Sequence, residues 1–172
     1  MFDEKKSLEM LEGFGSHYDY DTTYMKEMLN VAPNAFEKFE SFLPMASFVQ
    51  SAPKDVIYLV KLAAMKNEDC GACLQLNVDM AIEAGVDKNI IKEVIFNEGK
   101  NLPLSLKDIY KFTLLVSNNK IIDDTLYDKI YETYSKEIMV EVSLAIASAK
   151  VFPTIKRVLN DIKSCSVIKI KV

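Results

Sequence analysis

Residues 55–85 read DVIYLVKLAAMKNEDCGACLQLNVDMAIEAG, and the reading of the whole chain starts there. The first twelve are apolar on nearly every side of a helical projection, with Lys61 as the charge in the middle. A helix apolar all round belongs at the centre of a bundle rather than on its surface. Ser51 is placed to cap it, Pro53 is tolerated in a first turn, and Asp55 suits the positive end of the helix dipole. The segment NEDCGAC at 67–73 interrupts the pattern. A second helix then runs to Ala84, where Gly85 supplies the left-handed residue that ends it. Extended alternating runs are nearly absent elsewhere, so the spacing predicts an all-α protein.

Outward from this core, residues 4–12 form a short helix ending at Gly13, and the Gly-, Tyr- and Asp-rich segment 13–21 reads as a loop. A helix over 22–31 puts Tyr24, Met28 and Val31 on one face. Pro33 starts the next, in which Phe36, Phe39, Phe42 and Leu43 make a buried stripe. Downstream, Asp87 opens a helix that ends at Gly99. Ser105 and Asp108 resemble a capping box for a helix to Ser117. Asp123 or Asp124 caps a short helix to Tyr134. The last helix, 135–161, contains Ala145, Ala147, Ser148 and Ala149, small enough for a neighbouring helix to approach closely, and Pro153, which should kink it. The alternation over 167–172 suits a short edge strand or an ordered arm. The expectation is one compact helical bundle over 1–172, about seven to eight helices, with residues 1–30 as an N-terminal extension packed on the core.

Composition narrows the function classes. At 49% hydrophobic the chain builds its core without a disulfide or metal staple. A net charge of -4, with basic residues near the end thinned to Lys163, Lys169 and Lys171, argues against a general nucleic-acid binder. The opening MFDEKKSLEM is acidic and has no apolar signal-peptide core. No run reaches the ~18 uninterrupted apolar residues of a membrane span. The expected compartment is the reducing cytoplasm, where a close cysteine pair is catalytic or metal-binding rather than a permanent bridge. There is no phosphate loop, no Ser/His/Asp set and no HExxH.

The chemistry-bearing feature is Cys70-Gly71-Ala72-Cys73. Two thiols three positions apart on a first helical turn can close a disulfide, and the helix N-terminus favours thiolate over thiol. Glu68 and Asp69 act in the other direction on the thiols, and can also accept a proton or cap the helix. Three readings fit the pair: a redox dithiol, two ordinary core cysteines, or a zinc half-site whose remaining ligands would have to include Cys165 and His17. Gln75 and Asn77 lie one helical side from the cysteines. His17, the one histidine, sits among Tyr18, Tyr20 and Tyr24, which either cover a pocket or pack in the core. Cys165 reads as a bystander. No cofactor and no metal is called for.

The segment 55–85, with its acidic start, apolar helix, C-x-x-C and A-G-V-type stop, resembles the alkylhydroperoxidase D-like and carboxymuconolactone decarboxylase family. APNAFEKFESFL at 32–43 is similar to that family's lead-in, and the order of the C-terminal helices is similar too. The likeness covers about three quarters of the chain, its specific part about thirty residues. The resemblance implies an all-α fold assembling into trimers or hexamers, and peroxide reduction through the cysteine pair with a Glu and a His relaying protons. Cys70 and Cys73 match the family cysteines. The family histidine falls on Asn77, which does not titrate near neutral pH, and the family glutamate on Tyr58, with Asp55 one turn away. In the family the second cysteine meets the peroxide, which points to Cys73, whereas the helix dipole and exposure favour Cys70. The implied activity is thiol-dependent reduction of a small peroxide or disulfide, with electrons from a thiol-reducing partner protein. The alternatives are a non-catalytic helical oligomer or ligand-binding module on the same scaffold, and a cofactor-free decarboxylase.

Overall fold

The central apolar segment forms a helix from Lys54 to Lys66, and Ile57, Leu59, Val60 and Leu62 on it are wholly excluded from solvent. The computed structural model describes residues 2–161 together with 168 and 170. Within them the chain runs through nine helices: α1 (Glu4–Tyr18), α2 (Thr23–Val31), α3 (Pro33–Ser47), α4 (Lys54–Lys66), α5 (Gly71–Glu83), α6 (Lys88–Phe96), α7 (Leu104–Ser117), α8 (Asp124–Thr133) and α9 (Lys136–Val158). No strand occurs among the described residues, so the protein is all-helical. The expected edge strand or arm at 167–172 lies outside the described residues apart from 168 and 170, which are in no regular element.

The helix count exceeds the expected seven to eight, and the first 47 residues show how separate helices arise. Helix α1 does not stop at Gly13. It continues through Gly15 to Tyr18, and Asp19 ends it in the left-handed conformation (φ 51°). Gly15 is needed for a different reason: a Cβ there would come 2.9 Å from the carbonyl oxygen of Tyr20, where the chain folds back on the helix. Pro33, without an N–H, separates α2 from α3.

The expected cap forms at Asp123, and Asp87 and Ser135, where helices were expected to start, also act as caps, each of the three side chains accepting a first-turn N–H. Two expected caps do not form. The helix α4 begins after Pro53, not at Ser51, and α7 begins after Pro103, leaving Ser105 inside the first turn and its box with Asp108 unmade. At α4 a remote group substitutes. The carboxylate of Glu141, on α9, accepts the backbone N–H groups of Gln50, Ser51 and Ala52 at 3.0, 2.7 and 3.2 Å. Helix α6 ends at Phe96, ahead of Gly99, which takes a φ of 71°. Gly85 takes the expected positive φ after α5.

Helix α4 packs against α5, α6, α7 and α9. Ala145 and Ala149 are buried on α9 and let α4 approach it closely, while Ala147 faces solvent. Pro153 is accommodated inside α9, which stays helical to Val158. By length and composition α9 is also apolar enough to cross a membrane, but it is built into this core through Met139, Val142 and Ile146. Helices α1 to α3 build a second apolar cluster around Leu11, Tyr24 and Phe36. Phe152 of α9 joins the two, with its ring 5.9 Å from Phe39 and 5.6 Å from Phe42. Between the clusters a cavity remains.

Candidate functional site

After α4 the chain turns at Asp69, held in the left-handed region (φ 49°), and delivers Cys70 to the N-cap position of α5 in an extended conformation. Cys73 is in the first turn. Their Cα atoms are 5.3 Å apart and the two sulfurs are joined in a disulfide. Both cysteines are buried, Cys70 at 5% and Cys73 at 2% exposure, so access to sulfur depends on what adjoins them.

That neighbour is the cavity between the two clusters, about 560 Å³ and predominantly apolar. Leu11, Phe14, Leu43, Met65, Met80 and Phe152 supply much of its wall. Cys73 lines it and Cys70 does not. The asymmetry bears on which sulfur a ligand meets, and it singles out Cys73. Asn77 also lines the cavity, and its side-chain amide donates to the carbonyl of Cys73 at 2.9 Å. Gln75, one residue type singled out with it, instead donates to Asp79 at 3.1 Å.

Tyr20 is the aromatic residue of the N-terminal segment that reaches the sulfurs. Its hydroxyl is 3.9 Å from Cys73 Sγ. Burial pushes the Tyr20 phenol up to about 12, so it stays protonated and able to donate. The buried ammonium of Lys156 lies 5.1 Å above the Tyr20 ring and 4.9 Å above that of Tyr24, and 3.7 Å from the carboxylate of Asp161. Tyr24 is a core residue with no exposure, and burial raises its phenol strongly. Tyr18 sits apart. It donates to Glu83, which His17 also contacts at 2.9 Å, on the outer surface of α5.

The remaining sequence candidates are not gathered at the cavity. Asp55 lies in the first turn of α4, with one buried carboxylate oxygen lacking a hydrogen-bond partner. Tyr58 lies outside the cavity wall, its phenol raised by burial and by Glu83. Glu68 pairs with Arg157 at 3.6 Å, and its carbonyl accepts from the same guanidinium, which ties the turn before the cysteines to the end of α9. The ion pair also offsets the negative charge that Glu68 would otherwise bring near the thiols.

Lys61 is the residue that sequence reasoning did not use. It is only 8% exposed, it lines the cavity, and burial lowers its pKa. Its ammonium is 5.3 Å from the Tyr58 ring and has no ion pair among the described residues. The signal was a single lysine at the middle of a helix otherwise apolar all round. Among the described residues no three His, Cys, Asp or Glu side chains converge as a metal site would require, and Cys165 lies outside them. No family model matches this sequence, and no curated protein matches it.

Proposed function

We propose that this protein is a thiol-dependent oxidoreductase of the alkylhydroperoxidase D-like type, cycling Cys70 and Cys73 between dithiol and disulfide to reduce a peroxide or disulfide. The observation that carries this reading is the Cys70–Cys73 disulfide at the N-terminus of α5, with Cys73 on the wall of a 560 Å³ cavity. In the reduced protein the Cys73 thiolate attacks the terminal oxygen of a peroxide. An S–O bond forms, the O–O bond breaks, and the leaving oxygen takes up the proton that the Cys73 thiol released. The Cys70 thiol then attacks the Cys73 sulfur; the S–S bond forms and the hydroxyl leaves as water with the Cys70 proton. Two electrons pass from the dithiol to the peroxide, and an external dithiol partner restores the thiols. The first-turn N–H groups of α5 and the Tyr20 hydroxyl favour the thiolate. With Asn77 at the position of the family histidine, the proton relay differs from the family's, and Tyr20 is the donor at hand. The same reading carries the reducing compartment and a homo-oligomeric assembly.

A second reading, a non-catalytic ligand-binding module, is favoured by the size and apolarity of the cavity. Thiol titration before and after hydrogen peroxide separates the two. Wild type should lose two thiols per chain and regain them with dithiothreitol, while Cys70→Ser and Cys73→Ser form no intramolecular bridge. A dithiol inert to peroxide and to disulfide donors leaves the binding module, and oxidation at Cys165 in place of the pair defeats the site assignment.

A further inference from the structure

Beside the apolar cavity lies a half-open recess of about 40 Å³ that shares five lining residues with it: Ala46, Lys61, Met65, Asn77 and Phe152. Helix α9 adds Ala145, Ser148 and Ala149 to its lining. Ser148 is 4% exposed, and its buried hydroxyl has no hydrogen-bond partner. Lys61, 8% exposed and without an ion pair among the described residues, lines the same recess. A buried ammonium without a counter-ion and a buried hydroxyl without a partner each carry a desolvation cost. Here both residues line one small space, together with Asn77, whose side-chain nitrogen keeps a second N–H besides the one given to Cys73. At this size the recess admits a small polar group and no ring.

We propose that Lys61, Ser148 and Asn77 form a carboxylate-binding recess, and that the cavity beside it takes the hydrocarbon chain of a fatty-acid-type monocarboxylate. One buried cation matches one negative charge, which disfavours phosphate heads and dicarboxylates. The chain then lies along Leu43, Met65, Met80 and Phe152 and passes Cys73. Glu40, the other charged residue on the wall, is half-buried and accepts the Ser7 hydroxyl at 2.6 Å. It makes no ion pair with Lys61, whose ammonium has the Tyr58 ring 5.3 Å away but no counter-ion among the described residues. This inference goes beyond the redox reading and does not require the cysteines to cycle.

The test is calorimetric titration of the full-length, disulfide-intact protein with sodium decanoate and, separately, 1-decanol. Wild type should bind decanoate roughly tenfold or more tightly than decanol, as expected for a charge-assisted hydrogen bond in a buried site. Lys61→Met should abolish that preference and keep decanol binding, which also reports that the variant is folded. Ser148→Ala should weaken decanoate several-fold. Equal affinity for the two probes, no binding of decanoate, or wild-type decanoate binding in Lys61→Met overturns the proposal. If Lys61→Met does not fold, Ser148→Ala decides: unchanged decanoate affinity overturns the recess. The Cys70→Ser/Cys73→Ser double variant should bind decanoate like wild type. A decanoate preference with peroxide-inert cysteines upholds the recess and removes the redox reading; cycling cysteines with no decanoate preference do the reverse.

Discussion

Replacing Glu141 with alanine should loosen the attachment of α4 to α9 without touching the cavity. Glu141 is 3% exposed and accepts three backbone N–H groups from the connection between α3 and α4. A hydrogen bond to a charged group contributes about 1.5–3 kcal/mol, but water can replace the acceptor wherever the donor is near the surface. Gln50 and Ser51 are exposed and Ala52 is buried, so only the last donor is left stranded. The expected loss is therefore about one full bond and part of two others, roughly 2–4 kcal/mol. For a domain of this size that corresponds to a fall in melting temperature of about 6–12 °C. Acid should have a related effect. Burial acts to raise the Glu141 pKa, yet the three N–H donors outweigh it and leave the carboxyl below its usual range. A depressed folded-state pKa means that this stabilisation is present above the unfolded value of about 4.3 and is lost as pH falls through the folded value. Thermal melts by circular dichroism at pH 7, 5 and 3 provide the assay. Glu141→Gln, which cannot titrate, should lose less stability between pH 5 and 3 than wild type does. An alanine variant melting within about 2 °C of wild type at pH 7 would refute the remote-cap argument.

Gly99→Ala places a Cβ 2.6 Å from the Tyr110 ring at a φ of 71°, and urea denaturation should show a loss of roughly 2–4 kcal/mol. Ser135→Ala removes the side-chain acceptor for the Ile138 N–H at the start of α9 and should cost about 1 kcal/mol in the same assay. Tyr20→Phe removes the hydroxyl 3.9 Å from Cys73 Sγ. It should slow iodoacetamide alkylation of the reduced protein at neutral pH by about twofold to fivefold, because one weak donor to the thiolate is lost; an unchanged rate means that the hydroxyl does not stabilise the thiolate.

The helical class was legible because its signals are local. An apolar run around Lys61, Pro33 at a helix start, Gly85 past a helix end, and Asp87 and Asp123 at N-caps each state their role within a few residues. The cysteine pair was legible for the same reason, since C-x-x-C spacing and a helix start suffice to bring the sulfurs together. What was missed depends on distant partners. Gly13 looked like a stop because nothing local shows that Asp19 adopts the left-handed turn instead. Ser51 looked like a cap because Glu141, ninety residues on, is not visible to a local pattern. Lys61 and Ser148 belong to helices α4 and α9, whose contact is set by packing alone, so the recess they share has no sequence signature. Tyr20 likewise acquires its place beside Cys73 only when α1 to α3 close over α5.

The most direct measurement is the equilibrium of the Cys70–Cys73 pair against glutathione and dithiothreitol buffers, with free thiols counted at each poise. A working cytoplasmic couple should titrate as one reversible two-electron step between about -270 and -200 mV, the span of thioredoxin- and glutaredoxin-type dithiols. A pair that stays oxidised below about -300 mV, as secreted structural disulfides do, would contradict the account.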